Sequence, residues 1–288
     1  MTQFIEQDPK LDSLWRAIIL FGRNVASYKF ALGKSLIEIA QEGNKSFINL
    51  DELAIPFAKH LSEHLKISDK QGTSPSSRFL DACRDFNQGE ISEEQLNQQT
   101  VQLGFVNVID AFHVVNQDNI PVRFFEDERK TKNGITITDE LFGLLENKQS
   151  INLPNEVEAR WRLVETAWSI KISPRLLNVQ ADTGNDILFV ENRLSERINV
   201  TTCVDGLIGY QKGRCFYCKK EIYIKNVNLF SGEVDHYFPH VLKSISDTFL
   251  KLNIDGVWNL VFCAMSWWES SQVVNRSRLS LVPGAALS

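Results

Sequence analysis

The sequence lacks the long apolar run, the leader and the compositional bias that mark membrane, exported or disordered proteins. None of its 288 residues falls in a stretch approaching the roughly 18 consecutive apolar residues of a membrane span. Met1–Phe4 lack the basic and apolar regions of a signal peptide. With 15 Gly, 8 Pro and 43% hydrophobic residues, the chain is neither collagen-like nor wholly disordered. We therefore expect a folded cytoplasmic protein with no membrane association and one or two domains.

Charge of neither sign dominates, but the basic residues are unevenly distributed. The formal net charge is −5, yet from residue 205 to the end nine Lys/Arg outnumber seven Asp/Glu. Within 211–225 there are five basic residues and one acid, Glu221. Such a patch suits a polyanion, and a solvated basic hairpin explains it equally well. Charge alone therefore does not decide the function.

Apolar residues spaced three to four apart predict that the first part of the chain is mainly helical. The pattern predicts one helix over 11–41, a second capped by Asp51–Glu52, and further helices over 78–86 and 92–115. Two β-like segments, 122–126 and 135–138, flank a turn ending in Asn133–Gly134 and predict a hairpin. Helices are predicted again over 139–146 and 154–172.

Two histidines of this region, His60 and His64, lie four residues apart on a predicted helix. That spacing suits a metal pair, because both side chains project from one face. Since the sequence shows no carboxylate or cysteine partner for them, we favour a solvated helix face. Nothing else before residue 200 carries recognisable chemistry.

A short cysteine motif begins the segment that does carry chemistry. Cys215 and Cys218 enclose two residues, and a tight turn of this kind lets both thiolates face one tetrahedral Zn²⁺. In a cytoplasmic protein a metal site is favoured over a disulfide. Redox pairs and chance also produce a CxxC, so this motif alone leaves those alternatives open.

Two further segments follow the cysteine motif in order. VDHYFPH occupies residues 234–240, and DGVWNLVFC occupies residues 255–263. The ordered set of CxxC, VDHxxPH and DGxWNLV with a cysteine resembles the zinc-containing HNH endonucleases of the ββα-metal class. The resemblance covers roughly residues 202–264, about a fifth of the chain.

The resemblance implies a role for each residue of the set. Phosphodiester hydrolysis needs a base that activates water near neutral pH and a divalent cation that stabilises the charged phosphate. By resemblance, His236 is the general base, Asp235 a ligand of catalytic Mg²⁺ or Mn²⁺, and Asn259 orients the imidazole through a hydrogen bond. A structural Zn²⁺ is held by Cys215, Cys218 and Cys263. The candidate phosphate contacts are His240, for which packing beside Pro239 is an equal alternative, Arg214, Lys219 and Lys220.

The chain departs from the family pattern after Cys263. The family's third element is usually a second CxxC followed by Asn or His, whereas this chain continues AMSWWES. The fourth zinc ligand and a further ligand of the catalytic metal are therefore missing. Read one base later, the codons for MSWWE encode Cys-x-Gly-Gly, so we interpret residues 271–288 as an atypical tail produced by a frameshift or truncation.

Together these observations predict an α+β protein. Residues 1–200 are expected to form a mainly helical region with a small β-hairpin, which recognises DNA or binds a protein partner. Residues 201–270 are expected to form a C-terminal ββα-metal (HNH) module with a zinc knuckle. The expected function is metal-dependent DNA cleavage, by analogy of layout in restriction or anti-phage defence. The alternatives are an RNA substrate, or a degenerate module that binds nucleic acid or a protein partner without cleaving.

Overall fold

The chain is an α+β protein that divides into two compact units, Met1–Leu177 and Asn178–Ser288. The predicted boundary at residue 200 therefore lies inside the second unit. His240 and the whole of the predicted tail lie outside the described residues. The computed structural model describes residues 10–22, 25–43, 45–74, 76–146, 148–171, 173–174, 177, 179–182, 187–192, 195–201, 211, 214–220, 232–238, 256 and 259–264.

The first unit is mainly helical, as its apolar spacing predicts. A π-helical turn over Thr100–Gly104 and a 3₁₀ turn over Lys148–Asn152 lie between its helices. The α-helices are α1 (Leu11–Phe21), α2 (Tyr28–Glu42), α3 (Leu50–Ile67), α4 (Arg78–Gln88), α5 (Glu93–Gln99), α6 (Val108–Ala111), α7 (Arg129–Lys132), α8 (Asp139–Glu146) and α9 (Leu153–Ser169).

Two predicted helices are interrupted. The helix predicted over 11–41 is divided into α1 and α2 at Gly22, whose backbone is extended (ψ 146°). A Cβ at this position would lie 2.3 Å from the Ile18 carbonyl oxygen, so only glycine fits the break. The helix predicted over 92–115 ends at Gln99 and is followed by the π-helical turn, α6 and a hairpin. At Gly104, inside that turn, a Cβ would meet the Phe57 and Phe79 rings at 3.1 Å.

The predicted hairpin is confirmed and belongs to a three-stranded antiparallel sheet. Strand β4 (Phe125–Asp127) pairs with β5 (Gly134–Ile137), and Asn133 between them adopts the left-handed conformation (φ 54°). The unpredicted strand β1 (Phe47–Asn49) pairs with the other edge of β5. A two-residue turn with positive φ at Asn116 and Gln117 joins the unpredicted β2 (Val114–Val115) and β3 (Asp118–Asn119).

One hydrophobic core holds the first unit together. Its largest fully buried side chains are aromatic and come from several helices, among them Trp15 on α1, Phe30 on α2, Phe57 on α3 and Trp161 on α9. Helix α3 begins with a capping box in which the Asn49 side chain accepts from the Glu52 amide and the Glu52 carboxylate accepts from the Asn49 amide. The helix therefore begins at Leu50, and the predicted cap at Asp51–Glu52 is wrong because Asn49 is the N-cap.

The described part of the second unit consists mainly of short strands. Strands β6 (Val179–Asp182), β7 (Ile187–Glu191) and β8 (Arg197–Asn199) form an antiparallel sheet, whereas the sequence pattern predicted no strand between residues 172 and 200. Short apolar runs such as Leu188–Val190, which is buried, fit a strand or a helix equally well by periodicity. Strands β9 (Gly232–His236) and β10 (Leu260–Ala264) form a separate antiparallel pair.

Candidate active site

The β9–β10 pair brings two of the predicted motifs together. Its register places Asp235 opposite Val261 and His236 opposite Leu260. The apolar side chains of Leu260, Val261 and Phe262 are all buried, so both faces of this strand are covered. The VDH segment therefore lies directly beside the segment that follows Asn259.

The CxxC segment forms a tight turn against the same pair. The Lys219 amide donates to the Cys215 carbonyl at 3.0 Å, and the Cys215 amide donates to the Lys220 carbonyl at 2.9 Å. Lys219 takes the left-handed conformation (φ 60°) that closes the turn. The Phe216 amide donates to the Phe262 carbonyl at 3.2 Å, so the turn is hydrogen bonded to β10.

Gln211 fastens the chain before this turn to β10, and sequence reasoning did not single it out. Its Oε1 accepts from the Phe262 amide at 2.6 Å, and its Nε2 donates to the Phe262 carbonyl at 2.8 Å. The same Nε2 donates to the Arg214 carbonyl at 2.9 Å. The carboxamide thus replaces a strand partner along β10. The sequence around this glutamine gives no signal that predicts such a role.

Asp235 lies beside Tyr217, the second residue that sequence reasoning missed. The Tyr217 hydroxyl donates to Asp235 Oδ2 at 3.1 Å, and the His236 amide donates to Asp235 Oδ1 at 2.7 Å. Burial raises the pKa of Tyr217, and the charges of Asp235, Cys263 and Cys215 raise it further. Tyr217 therefore stays protonated and acts as a hydrogen-bond donor to the carboxylate.

His236 is buried, with 8% of its surface exposed, and Asn259, the other predicted catalytic residue, is fully buried. Side chains alternate between the two faces of a strand, so His236 and Asp235 lie on opposite faces of β9. Asp235 lies on the face of Tyr217 and is only partly buried. Although the two residues are adjacent, the strand separates their side chains.

Asn259 fixes the chain immediately after His236. Its Oδ1 accepts from the Phe238 amide at 2.7 Å and its Nδ2 donates to the Phe238 carbonyl at 3.1 Å. The Asn259 carbonyl also accepts from the Tyr237 amide at 2.8 Å, while its side chain is fully buried. These contacts clamp the main chain of residues 237–238; a hydrogen bond from Asn259 to the imidazole stays a prediction.

The cysteines predicted to bind zinc lie in unequal surroundings. Cys215 and Cys263 are buried, whereas Cys218 is partly exposed. A structural zinc site is a closed tetrahedron of four Cys or His ligands. Within the described ranges, no three side chains of His, Cys, Asp or Glu are grouped so as to hold a metal ion. The described donors therefore do not complete a zinc site by themselves.

The predicted phosphate contacts have the exposure that such a role requires. Arg214, Lys219 and Lys220 are all exposed, and they lie on or beside the CxxC turn. The Lys219 ammonium also donates a hydrogen bond to the Phe216 carbonyl within this turn.

The interpretation of His60 and His64 as a solvated helix face is wrong. Both are buried on α3, and carboxylates from other helices reach both. His60 Nε2 lies 3.1 Å from a Glu38 oxygen; His64 Nδ1 and Nε2 lie 2.7 Å and 3.0 Å from Glu165 and Glu158. The partners lie far away in sequence, so their proximity follows only from helix packing.

Comparison with family models, with curated proteins and with solved structures gave no match to this chain. In the part of the chain that the structure describes, none of the helices combines the length and the apolar character that crossing a membrane requires.

Proposed function

We propose that the chain is a metal-dependent endonuclease that hydrolyses DNA phosphodiester bonds through an HNH motif. The observation that carries the proposal is the antiparallel pairing of β9 with β10. This pairing sets Asp235 and His236 against the segment that follows Asn259, and the CxxC turn is hydrogen bonded to the same β10. Segments that are distant in the sequence thus meet at β10.

In the proposed reaction His236 acts as the general base. Imidazole accepts and returns a proton near neutral pH, so it takes a proton from water as the water oxygen attacks phosphorus. The bond from phosphorus to the leaving oxygen then breaks, and that oxygen is protonated by solvent. The Asn259 clamp on residues 237–238 holds the chain beside the imidazole and limits its movement.

The partly buried Asp235 is suited to be a single carboxylate ligand for Mg²⁺ or Mn²⁺. Mg²⁺ in nucleotide sites is usually bound by one or two protein carboxylates, with substrate phosphates and water as its other ligands. Such a cation neutralises charge on the phosphate oxygens during hydrolysis. Tyr217 and the His236 amide each donate to one oxygen of this carboxylate and so set its orientation.

Zinc is a separate part of the proposal. The buried Cys215 and Cys263, with Cys218, supply three thiols near the CxxC turn, and a structural site takes a fourth ligand. Zinc content measured on the purified chain tests this part directly. About one zinc ion per chain that is lost in Cys215→Ser supports the knuckle. A parent chain that contains no zinc, and whose thermal stability Cys215→Ser does not change, contradicts it.

Cleavage of supercoiled plasmid with Mg²⁺ or Mn²⁺ tests the endonuclease. We expect the parent chain to cleave and His236→Ala to be inactive while retaining its fold. Leu260→Ala is the matched control, because Leu260 lies directly opposite His236 and its loss disturbs the same strand pair without removing a base. Loss of cleavage in both variants, or in neither, contradicts the assignment of His236.

Nucleic-acid binding without cleavage is the second candidate. It is favoured by the separation of Asp235 and His236 on opposite faces of β9, and by the absence of a metal-ligand group among the described residues. This candidate predicts that the parent chain retards oligonucleotides in a gel but leaves plasmid intact at every Mg²⁺ and Mn²⁺ concentration. Cleavage that His236→Ala abolishes would exclude it.

A further inference from the structure

Three aromatic side chains form a cluster next to His236, which we name the aromatic platform: Phe216, Tyr237 and Phe238. The ring centroids of Phe216 and Tyr237 lie 5.3 Å apart, and those of Tyr237 and Phe238 lie 4.8 Å apart, both edge to face. Tyr237 is 50% exposed and Phe238 is 45% exposed. Adjacent large apolar side chains that stay exposed on a folded protein mark a surface for a ligand.

The platform is held in place through its backbone. The Tyr237 amide donates to the Asn259 carbonyl, and the Asn259 carboxamide bonds to both backbone groups of Phe238. The Phe216 amide donates to the Phe262 carbonyl of β10. Every ring therefore projects from a fixed segment, and a ligand that stacks on the rings does not have to order the backbone first.

Positive charge borders the platform. Lys219 Nζ lies 4.7 Å from the centroid of the Phe216 ring, within the range of a cation–π contact. Arg214 and Lys220, on the same turn, are exposed as well. The ligand that complements this surface carries negative charge together with flat apolar groups.

We propose that the aromatic platform is a stacking site for unpaired bases, so that the preferred ligand is a single-stranded nucleic acid segment. In an intact duplex each base is stacked between its neighbours and has no free face for Tyr237 or Phe238. In a single strand the bases are free to stack on aromatic rings while basic side chains follow the phosphates. The proposal deepens the proposed function, because it names the strand state of the substrate beside His236.

Fluorescence anisotropy of labelled oligonucleotides tests the proposal. The full-length chain carrying His236→Ala is used without added divalent cation, so that binding is measured apart from cleavage. The probes are oligothymidine and oligouridine of about 20 nucleotides, long enough to cover a single-strand site, and a mixed-sequence duplex of the same length. We expect the single strands to bind at least about tenfold more tightly than the duplex.

Variants of the platform sharpen the test. Tyr237→Ala is expected to weaken single-strand binding about tenfold and to change duplex binding less than twofold, whereas Tyr237→Phe, which keeps the ring, restores it. Phe21→Ala is the matched control, because it removes a comparably exposed ring (57%, against 50% for Tyr237) from the first unit. Equal affinity for duplex and single strand, unaffected by Tyr237→Ala, would overturn the proposal.

A second measurement does not depend on how well the Tyr237 variants fold. A single-stranded probe containing 2-aminopurine changes its fluorescence when that base stacks on an aromatic ring. We expect a saturable change with the His236→Ala chain, and no change at saturation would overturn the stacking site. The two probes differ in the 2′-hydroxyl and in the 5-methyl group of the base: tighter oligothymidine binding favours DNA, and tighter oligouridine binding favours RNA.

The outcomes of this test are separable from those of the plasmid assay. Single-strand preference without any cleavage would leave the stacking site standing and contradict the endonuclease. Metal-dependent cleavage by the parent chain without single-strand preference would contradict the stacking site and leave the endonuclease standing.

Discussion

One cluster of polar and aromatic side chains in the first unit is enclosed, whereas a comparable set in the second unit is open to solvent. In the first unit the His64 ring stacks on Trp161 with their centroids 3.5 Å apart and their planes 1° apart. Glu165 and Glu158 contact its two nitrogens, and Gln71 bridges Glu165 to the Trp161 indole. The polar groups of this cluster therefore form hydrogen bonds with one another.

The second unit uses the same kinds of side chain differently. Tyr237 and Phe238 are about half exposed, and Asp235 is only partly buried. Exposed lysines and an arginine border them. This surface has aromatic faces and charges that the rest of the described unit does not cover.

The difference separates structural chemistry from chemistry that can meet a ligand. A histidine between two carboxylates resembles a catalytic arrangement, but at His64 its burial and its stacking leave no room for a substrate. A fully satisfied buried network specifies one packing of the helices. We therefore expect changes in the first-unit cluster to alter stability, and changes at the second-unit surface to alter binding and cleavage.

The largest effect is expected from Trp161→Ala. Trp161 is fully buried, stacks on both His64 and Phe30, and donates to Gln71. Removing such a side chain costs about 3–5 kcal/mol of unfolding free energy, which urea unfolding measures. Trp161→Phe is the control and is expected to lose less. If Trp161→Ala weakened oligonucleotide binding while still folded, the enclosed cluster would belong to a ligand site and the comparison would fail.

The next effect is the pH dependence of the first unit. Burial alone lowers the pKa of His64, but its hydrogen bonds to Glu158 and Glu165 raise it above the ordinary value. A raised folded-state pKa means that the stabilisation is complete below the unfolded pKa of about 6.5 and is lost as the pH rises through the folded pKa. We expect a loss of about 1.5–3 kcal/mol, the worth of hydrogen bonds to a charged group.

Thermal unfolding between about pH 6 and pH 9 measures this loss. The His64→Gln variant is expected to start less stable and to show a flatter profile across the same interval, because its amide does not titrate. Parallel profiles for the parent chain and the variant would show that His64 does not carry the charge assigned to it.

The two units also differ in how much of them the sequence could predict. Helix α8 was predicted over 139–146 and occupies Asp139–Glu146, and the hairpin of β4 and β5 was predicted from Asn133–Gly134. Both rest on local signals, namely periodicity and a turn residue. The partners of His60 and His64 were missed because Glu38, Glu158 and Glu165 reach them only through helix packing.

In the second unit, local signals located the candidate site but not its internal contacts. The spacing of Cys215 and Cys218 marked a turn, and VDH and WNLV marked the neighbouring segments. The hydrogen bonds of Gln211 to Phe262, the Tyr217 contact with Asp235 and the clamp of Asn259 on Phe238 join segments that are distant in the sequence. The register of β9 with β10 is likewise set between distant segments. A register is a long-range property, so a single sequence does not reveal it.

Asn259→Ala is expected to have an intermediate effect confined to the second unit. It removes two buried hydrogen bonds to the Phe238 backbone, and leaving such groups without a partner costs about 1–3 kcal/mol. Because the clamp also holds Tyr237 and Phe238, single-strand binding should weaken as well. Asn259→Asp is the control, since it keeps the acceptor for the Phe238 amide. Hydrogen exchange that slows or stays unchanged in residues 234–238 of Asn259→Ala would contradict the clamp.

The smallest effect, and the finest test of the comparison, is expected from Tyr217→Phe. The change removes the hydroxyl that donates to Asp235 Oδ2 and keeps the ring that meets Phe216 edge to face at 5.4 Å. Loss of one partly buried hydrogen bond costs about 0.5–1.5 kcal/mol, measured by thermal unfolding. If Asp235 binds a metal ion at the open surface, loss of the Tyr217 hydroxyl from Asp235 Oδ2 changes the Mg²⁺ concentration needed for half-maximal cleavage. Tyr237→Phe is the control and is expected to leave that concentration unchanged. A Mg²⁺ dependence identical in both variants would place Asp235 with the enclosed, structural carboxylates such as Glu165.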